Sequence, residues 1–399
     1  MYIHTALNKI LDFCQKEMKW NYSRDHLMAI ISHWLQNPLE RPIFLARKDS
    51  KAWLKYLGFS SPKELQKELK YNNVPFPPNN KNCFRFIDLF AGIGGFRISL
   101  QSIGGKCVFT SEWDKSAQKT YFQNYGEYPF GDIRNFSGTN IDDKTLNKLI
   151  PDHDILAAGF PCQPFSHAGV SARGSLGKTH GFKCKIQGTL FFDTVRIAKV
   201  KRPKILLLEN VRNLQSHDKG KTFEIIRRTI TEYLGYSFNS KILDSSSLVP
   251  QRRKRCFMVC MRNSKKLFEF PILDGKPLPL KSILEKKTPD KYTISDKLWE
   301  GHQRRTQNNL ARGTGFTAFT ANLDKPSNTI VARYGKDGKE CLIPQKGKNP
   351  RKLTPKECAR LLGFPEEFIF PEHDTSAYKQ FGNSVVVPLV KKIVKRLKV

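Results

Sequence analysis

From residue 84 onward the chain alternates short apolar runs with amphipathic ones, and that alternation limits its fold more than any other feature. FRFIDLF (84–90) reads as a strand, AGIGGFRISLQSIG as a glycine turn entering a helix, KCVFTSEW (106–113) as a second strand and SAQKTYFQNYG as a second helix. DILAAGF (154–160) and KILLLENV (204–211) are further apolar strands with helices between them. Strands alternating with helices predict an α/β fold, a parallel sheet with crossover helices. Such a sheet takes its ligand beyond the carboxyl ends of its strands, at the point where the strand order reverses.

Both flanks have a different texture. Residues 1–80 carry four helical segments: LNKILDFCQKEM, RDHLMAIISHWLQ, KDSKAWLKYLGF and SPKELQKELK. Ser61-Pro62-Lys63-Glu64 has the form of a capping box with proline at the first helical position. The block ends in the polar, proline-rich linker VPFPPNNKN. From about 263 to 350 the alternation dissolves into Gly, Pro, Asn, Lys and Thr with short strand-like pieces such as SNTIVARY, and a terminal helix follows in VVPLVKKIVKRL.

Lys and Arg outnumber Asp and Glu by 68 to 36, a formal net charge of +32 over 399 residues. A chain this basic most often meets a polyanion, nucleic acid first, although a lysine-rich solvated surface gives the same count. No apolar run is long enough to span a bilayer, and MYIHTALNKILDFCQKEMKW carries charges where a signal peptide has its apolar core. The nine cysteines are odd in number and without CxxC pairs, as in a reducing compartment. A cytoplasmic protein is expected. Cys256 and Cys260 lack a histidine partner set, so no metal is expected.

The glycine turn Asp88-Leu89-Phe90-Ala91-Gly92-Ile93-Gly94-Gly95-Phe96 lets backbone approach a ligand at a helix N-terminus. Tight strand-to-helix turns need glycine in any case, so the turn alone says little. Glu112-Trp113 ends the second strand, where an acid suits ribose hydroxyls and an indole can stack on a base. Asp132, in GDI, ends what reads as a third strand segment. The run is GxGGxR rather than the pyrophosphate fingerprint GxGxxG, which argues against NAD and for an adenosyl ligand without phosphates.

Beyond the strand DILAAGF comes Pro161-Cys162-Gln163-Pro164. Each proline fixes its own φ and keeps the preceding residue extended, so Cys162 is held on stiff backbone at the same rim. A thiol so placed suits a nucleophile, although most cysteines are small buried hydrophobes. Glu209, ending the apolar strand KILLL, can protonate or hydrogen-bond a ring nitrogen of a base if burial raises its pKa. In QRRKR (251–255), strand alternation sends Arg253 and Arg255 to one side and Arg252 and Lys254 to the other, and a run of charges is often only a solvated face.

The ordered series DLFAGIGGF, SEWD, GDI, GFPCQPFS, ENVRNL, QRRKR, RKLTPKECARLLGFP and QFGNSVVVPL resembles the DNA (cytosine-5)-methyltransferases over roughly residues 84–390. The resemblance implies S-adenosylmethionine as donor and the Rossmann-like methyltransferase sheet, with a smaller loop-rich target-recognition domain and an N-terminal helical extension. It implies an extension at 1–80, a catalytic and cofactor-binding domain at 81–262, target recognition at 263–375, and a segment at 376–399 that returns to the catalytic domain. Cys162 matches the family nucleophile that adds to C6 of cytosine. Glu209 matches the residue engaging N3 and the amino group, and Arg255, with Arg253 beside it, matches the arginine bracing the activated base. Phe90, Gly92, Gly94, Glu112, Trp113, Asp132, Ile133 and Pro161 match the cofactor region. Asn383 and Ser384 match the segment that closes the cofactor pocket.

The target cytosine must leave the duplex to be reached, and the segment 167–188 after Cys162 reads as a mobile loop on the active-site face. Its text, with ARYGKDGKECLIP, is similar to the subgroup modifying the inner cytosine of CCWGG or CCNGG. Gln163, Ser166, Arg173, Lys178, Arg312, Arg333 and Lys336 are candidate contacts to double-stranded DNA. The resemblance also implies a functionally linked restriction endonuclease, and one flipped base per active site suits a monomer. Residues 1–80 read as a scaffold or an auxiliary DNA contact; the helix-turn-helix spacing of a repressor is not evident. Two other readings compete: a tRNA cytosine-5 methyltransferase, against which stands the long segment between QRRKR and RKLTPKE, and a catalytically silent DNA-binding protein, against which stand Cys162, Glu209 and Arg255.

Overall fold

The computed structural model describes residues 1–17, 22–40, 42, 45–79, 83–161, 190–264, 267–313 and 318–397. Cys162, Gln163, Ser166, Arg173, Lys178 and the loop expected at 167–188 lie outside them. The chain forms two compact units: Met1–Ile242 with Arg255–Phe270, and Leu243–Lys254 with Pro271–Leu397.

Four helices open the first unit: α1 (Ile3–Glu17), α2 (Arg24–Gln36), α3 (Arg47–Leu57) and α4 (Pro62–Glu68). Their ends follow from local chemistry. The Ser23 side chain accepts from the His26 N–H at the start of α2, and Gly58 ends α3 in the left-handed region at φ +83. Ser61 accepts from the Glu64 N–H as expected, but the Glu64 carboxylate accepts from the Ser60 N–H, so the reciprocal half of the box is shifted by one residue. Along α1 the residues Ile3, Leu7, Ile10, Leu11 and Cys14 are buried at helical spacing. Every residue of α2 from Ala29 to Gln36 is buried, the mark of a helix enclosed on several sides.

Next come β1 (Phe84–Leu89), α5 (Gly95–Gln101), β2 (Gly105–Ser111), α6 (Lys115–Tyr125), α7 (Arg134–Ser137), α8 (Asp143–Leu149), β3 (Ile155–Ala158), α9 (Leu190–Lys201), β4 (Ile205–Val211), α10 (Lys221–Arg228), β5 (Asn239–Asp244) and β6 (Lys254–Met261). The sheet order is β2-β1-β3-β4-β6-β5. β2, β1, β3 and β4 are parallel, whereas β6 runs antiparallel to β4. The wholly parallel sheet expected from alternation therefore does not hold at this edge. No α-helix separates β5 from β6, and a parallel neighbour needs a crossover of about a dozen residues or more, usually helical. GDI, expected to end a third strand, follows only an isolated bridge between Phe130 and Ser111.

One hydrophobic core runs from Ile3 and Trp34 in the helices through Ile87, Phe109 and Leu156 in the sheet to Cys260. Cys256 and Cys260 lie on β6 with burial pushing both thiols up, Cys256 to about 12, as suits small core side chains.

The second unit contains α11 (Asp296–Ala311), α12 (Tyr334–Asp337), β7 (Ile343–Gln345), β8 (Lys348–Arg351), α13 (Pro355–Leu361), α14 (Asp374–Asn383) and α15 (Val387–Val394). SNTIVARY, expected to be strand-like, is mostly loop and enters α12 at Tyr334; Ile330 and Tyr334 are fully buried without sheet pairing. At α13 a complete capping box forms between Thr354 and Glu357, with Pro355 at the first helical position. No helix among the described residues is long and apolar enough to cross a membrane.

Candidate active site

Strand register assembles the site. Leu89 of β1 pairs with Ser111 of β2 and with Ala158 of β3, and Ala158 pairs with Leu208 of β4. The next residue on each strand therefore falls in one row along the carboxyl edge: Glu112, Phe90, Gly159 and Glu209. With neighbouring strands about 4.8 Å apart, Glu112 and Glu209 stand roughly 14 Å apart along the sheet. The chain order reverses between β1 and β3, inside this row, which is where open α/β sheets bind ligands.

At the β1 end the backbone is bent into unusual conformations. Phe90 has φ +55, Gly92 +55 and Gly94 +83. A phenylalanine in the left-handed region costs on the order of 1 kcal/mol or more and persists only where its surroundings enforce it. Glu112 is part of that enforcement: its carboxylate accepts from the Gly92 N–H and the Asp114 N–H, both at 2.8 Å. Burial pushes the Glu112 pKa up, opposed by those two donors. From below, the Tyr125 hydroxyl donates to the Ile93 and Gly94 carbonyls at 3.2 and 3.0 Å. A Cβ on Gly94 would lie 2.4 Å from the Tyr125 ring, so this glycine is required for closeness as well as for φ.

The outer side of the turn is open. Nothing lies within 4 Å of a Cβ built on Gly92 or on Gly131, and the Trp113 indole is 77% exposed. Asp132 is half-buried, and its hydrogen bonds from Arg134 hold its carboxyl below the usual range. Ile133 is buried beside it. An adenosyl group fits these residues: an acid for the ribose, an indole for the base, and a glycine backbone with room over it. Asp88, at the end of β1, is fully buried, and neither carboxylate oxygen has a hydrogen-bond partner among the described residues. Burial raises its pKa well above the carboxylate range, with the Arg97 charge opposing.

At the β4 end, Glu209 Oε1 lies 3.2 Å from Arg255 Nε. The antiparallel pairing explains the meeting. Arg255 is opposite Val211, two residues beyond Glu209, so the two side chains are diagonal neighbours on one face. A Cβ on Gly159 would come 3.5 Å from Glu209 Oε2, so the segment leading to Pro161 and Cys162 leaves β3 beside this carboxylate. Asn210 secures the passage, donating from Nδ2 to the Phe160 carbonyl at 2.9 Å. Pro161 is exposed at the end of the described segment.

Arg253 is not gathered with this pair. It precedes β6, is 1% exposed, and in the second unit donates to the carbonyls of Ile330, Gly382 and Ser384 at 2.7–2.8 Å. Its carbonyl partners thus flank Asn383, which is exposed at the end of α14, and include Ser384, which is buried. Arg312, Arg333 and Lys336 are all exposed in that unit, Arg333 with its guanidinium 3.9 Å from Glu340. Asn210 and Tyr125 carry parts of the site that sequence reasoning gave no role. A polar residue closing an apolar strand was the available signal for Asn210; nothing local marked Tyr125.

Comparison with known proteins defines the class. The profile of the C-5 cytosine-specific DNA methylases matches residues 84–399. The chain is 49% identical to the type II methyltransferase M.SsoII of Shigella sonnei, over 84% of this chain and 85% of that one. It is 47% identical to M1.ScrFI of Lactococcus lactis subsp. cremoris, over 84% and 83%, and 42% identical to the DNA-cytosine methyltransferase of Escherichia coli K12, over 81% and 80%. Among solved structures, the fold is similar to that of S. pombe Dnmt2 methyltransferase, with a TM-score of 0.59, 18% identity, and coverage of 78% of this chain and 97% of that one. The protein belongs to the C-5 cytosine-specific DNA methylases. It is a DNA cytosine-5 methyltransferase that uses S-adenosylmethionine.

Proposed function

We propose that the protein methylates C5 of a cytosine flipped out of a specific short duplex DNA site through a covalent bond between Cys162 and C6. The observation that carries this reading is the Glu209–Arg255 pair at the carboxyl end of β4, beside the glycine from which the chain departs for Cys162. Bound S-adenosylmethionine supplies an electrophilic methyl group. Glu112, Trp113, Asp132 and the turn at Phe90–Gly94 hold it at the β2 and β1 end of the row, with Pro161 on the same edge.

C5 of cytosine is a poor nucleophile until the ring's conjugation is broken. The Cys162 thiolate forms a bond to C6, and the displaced electron pair makes C5 an enamine carbon while Glu209 holds a proton at N3. C5 then takes the methyl group, and the electron pair of the broken sulfur–methyl bond stays on the departing S-adenosylhomocysteine. Loss of the C5 proton to a base or water returns the electrons to the C5–C6 bond and expels Cys162 as thiolate. Arg255 keeps Glu209 oriented and braces the base.

The bases are read by the second unit together with the segment 163–188, with Gln163, Ser166, Arg173, Lys178, Arg312, Arg333 and Lys336 as contacts to bases or phosphates. The similarity of 167–188 to one subgroup favours the inner cytosine of CCWGG or CCNGG, protected against a cognate restriction endonuclease in a bacterial cytoplasm. A monomer suffices for this chemistry. A duplex carrying 5-fluorocytosine at the target tests the adduct, because fluorine at C5 blocks release. The wild-type protein is expected to form a denaturation-resistant complex in the presence of S-adenosylmethionine. Cys162→Ser is expected to form none, and an equal yield from that variant would overturn the reading.

A further inference from the structure

Residues 1–83 lie outside the family match, yet α2 reaches the cofactor end of the sheet. We propose that α2 braces the cofactor-binding glycine turn and that Gln36 is its positioning residue; this rests on the assignment of that turn to S-adenosylmethionine.

The turn feeds directly into α5, whose Arg97 is fully buried. Its guanidinium is satisfied by groups from several elements. Nη1 donates to Glu127 at 2.7 Å and to the Tyr121 hydroxyl at 3.2 Å, and Nε donates to Gln101 at 2.5 Å. Nη2 donates to Gln36 Oε1 at 3.1 Å. The other end of the same amide, Gln36 Nε2, donates to the Tyr125 carbonyl at 2.6 Å. Tyr125 in turn holds the Ile93 and Gly94 carbonyls with its hydroxyl and lies under the Arg97 guanidinium at 4.9 Å. One side chain of the extension thus links the two groups that fix the turn, the arginine leaving it and the tyrosine beneath it.

Two more residues of α2 secure the same place. His33 Nε2 lies 3.4 Å from Glu127, and Ser32 Oγ accepts from the Tyr128 N–H at 2.9 Å. Burial works against the Glu127 charge, but Arg97 and His33 outweigh it and hold its pKa below the usual range, so the arginine keeps its counter-charge. Without Gln36, a buried guanidinium N–H loses its acceptor, and the Tyr125 carbonyl loses a donor. Arg97 follows Gly94 by three residues and the Tyr125 hydroxyl holds the Ile93 and Gly94 carbonyls, so a shift of either group is passed to the turn.

Steady-state kinetics on the full chain test this with Gln36→Met, which keeps volume without polar atoms, and Gln36→Glu, which keeps an acceptor for Arg97. Gln36→Met is expected to raise the KM for S-adenosylmethionine about tenfold or more, with the KM for DNA and the kcat at saturating cofactor near wild type. Gln36→Glu is expected to fall between the two. Loss of kcat with an unchanged cofactor KM, in either variant that folds, is what a merely structural role gives and overturns the proposal. Trp113→Ala is run in parallel and is expected to raise the cofactor KM. If it does not, the assignment of the turn fails first and the brace with it; if only the Gln36 variants are silent, the brace alone fails.

Discussion

Arg255 Nε stands 3.2 Å from Glu209 Oε1, with the two side chains only 15% and 12% exposed. Burial works to lower the Arg255 pKa and the Glu209 charge opposes it, so the pair is held together where water screens it weakly. Glu209→Gln keeps the shape and removes the proton-holding acid. It is expected to lower kcat about a hundredfold or more while leaving the cofactor KM unchanged. Arg255→Ala is expected to do the same and to destabilise the fold, because it removes the guanidinium that offsets the charge of a mostly buried carboxylate. Single-turnover methyl transfer beside thermal unfolding separates the two effects.

Two glycines of one turn are expected to respond differently. Gly92 has open space where a Cβ would sit, so Gly92→Ala costs only backbone strain, about 1 kcal/mol, but places a methyl on the cofactor side. Gly94→Ala drives a methyl to 2.4 Å from the Tyr125 ring. Calorimetric titration with S-adenosylhomocysteine and thermal unfolding are expected to show weakened binding with a near-native melting temperature for Gly92→Ala, and loss of both for Gly94→Ala.

His153 gives the fold a defined acid sensitivity. Its Nδ1 meets the Pro151 carbonyl at 2.8 Å, and burial lowers its pKa to about 4. A histidine kept neutral in the native state takes up a proton on unfolding, so its contribution is complete above the unfolded value of 6.5. It is lost as pH falls from 6.5 towards 4, at a limiting slope of about 1.4 kcal/mol per pH unit, and changes no further below 4. Urea unfolding at several pH values is expected to show a steeper fall in stability between pH 6.5 and 4 in the wild type than in His153→Phe.

Arg253 is expected to be a residue of stability first. Arg253→Ala removes the donors of three buried carbonyls, at Ile330, Gly382 and Ser384, and is expected to cost about 3 kcal/mol or more. Gly382 leaves no room for compensation, because a Cβ there would lie 2.3 Å from the Val331–Ala332 backbone. Protease sensitivity confined to residues 271–397 is the expected sign.

What could be read in the sequence was local. The strands through β4 were legible because buried parallel strands are continuous apolar runs, and Glu112, Trp113 and Glu209 because polar residues closing such runs stand at the carboxyl edge. The direction of β6 was not legible: KRCFMVCM reads the same in either sense, and its reversal is set by its connection to β5. SNTIVARY misled because burial of Ile330 and Tyr334 has the signature of a strand without its pairing. Gln36, Arg97, Glu127 and Tyr125 were silent because they meet across 30 to 89 residues of sequence, and nothing in a helix reveals which distant charge its amide will face.

The most direct measurement is transfer of labelled methyl groups from S-adenosylmethionine to unmethylated duplex DNA, mapped by bisulfite sequencing, with wild type beside Cys162→Ala. The wild-type reaction is expected to leave 5-methylcytosine at one short motif and the variant reaction none. Methylation retained by a folded Cys162→Ala protein would contradict the covalent mechanism. No transfer to DNA by a wild-type protein that binds the cofactor, with transfer to tRNA instead, would contradict the assignment of substrate.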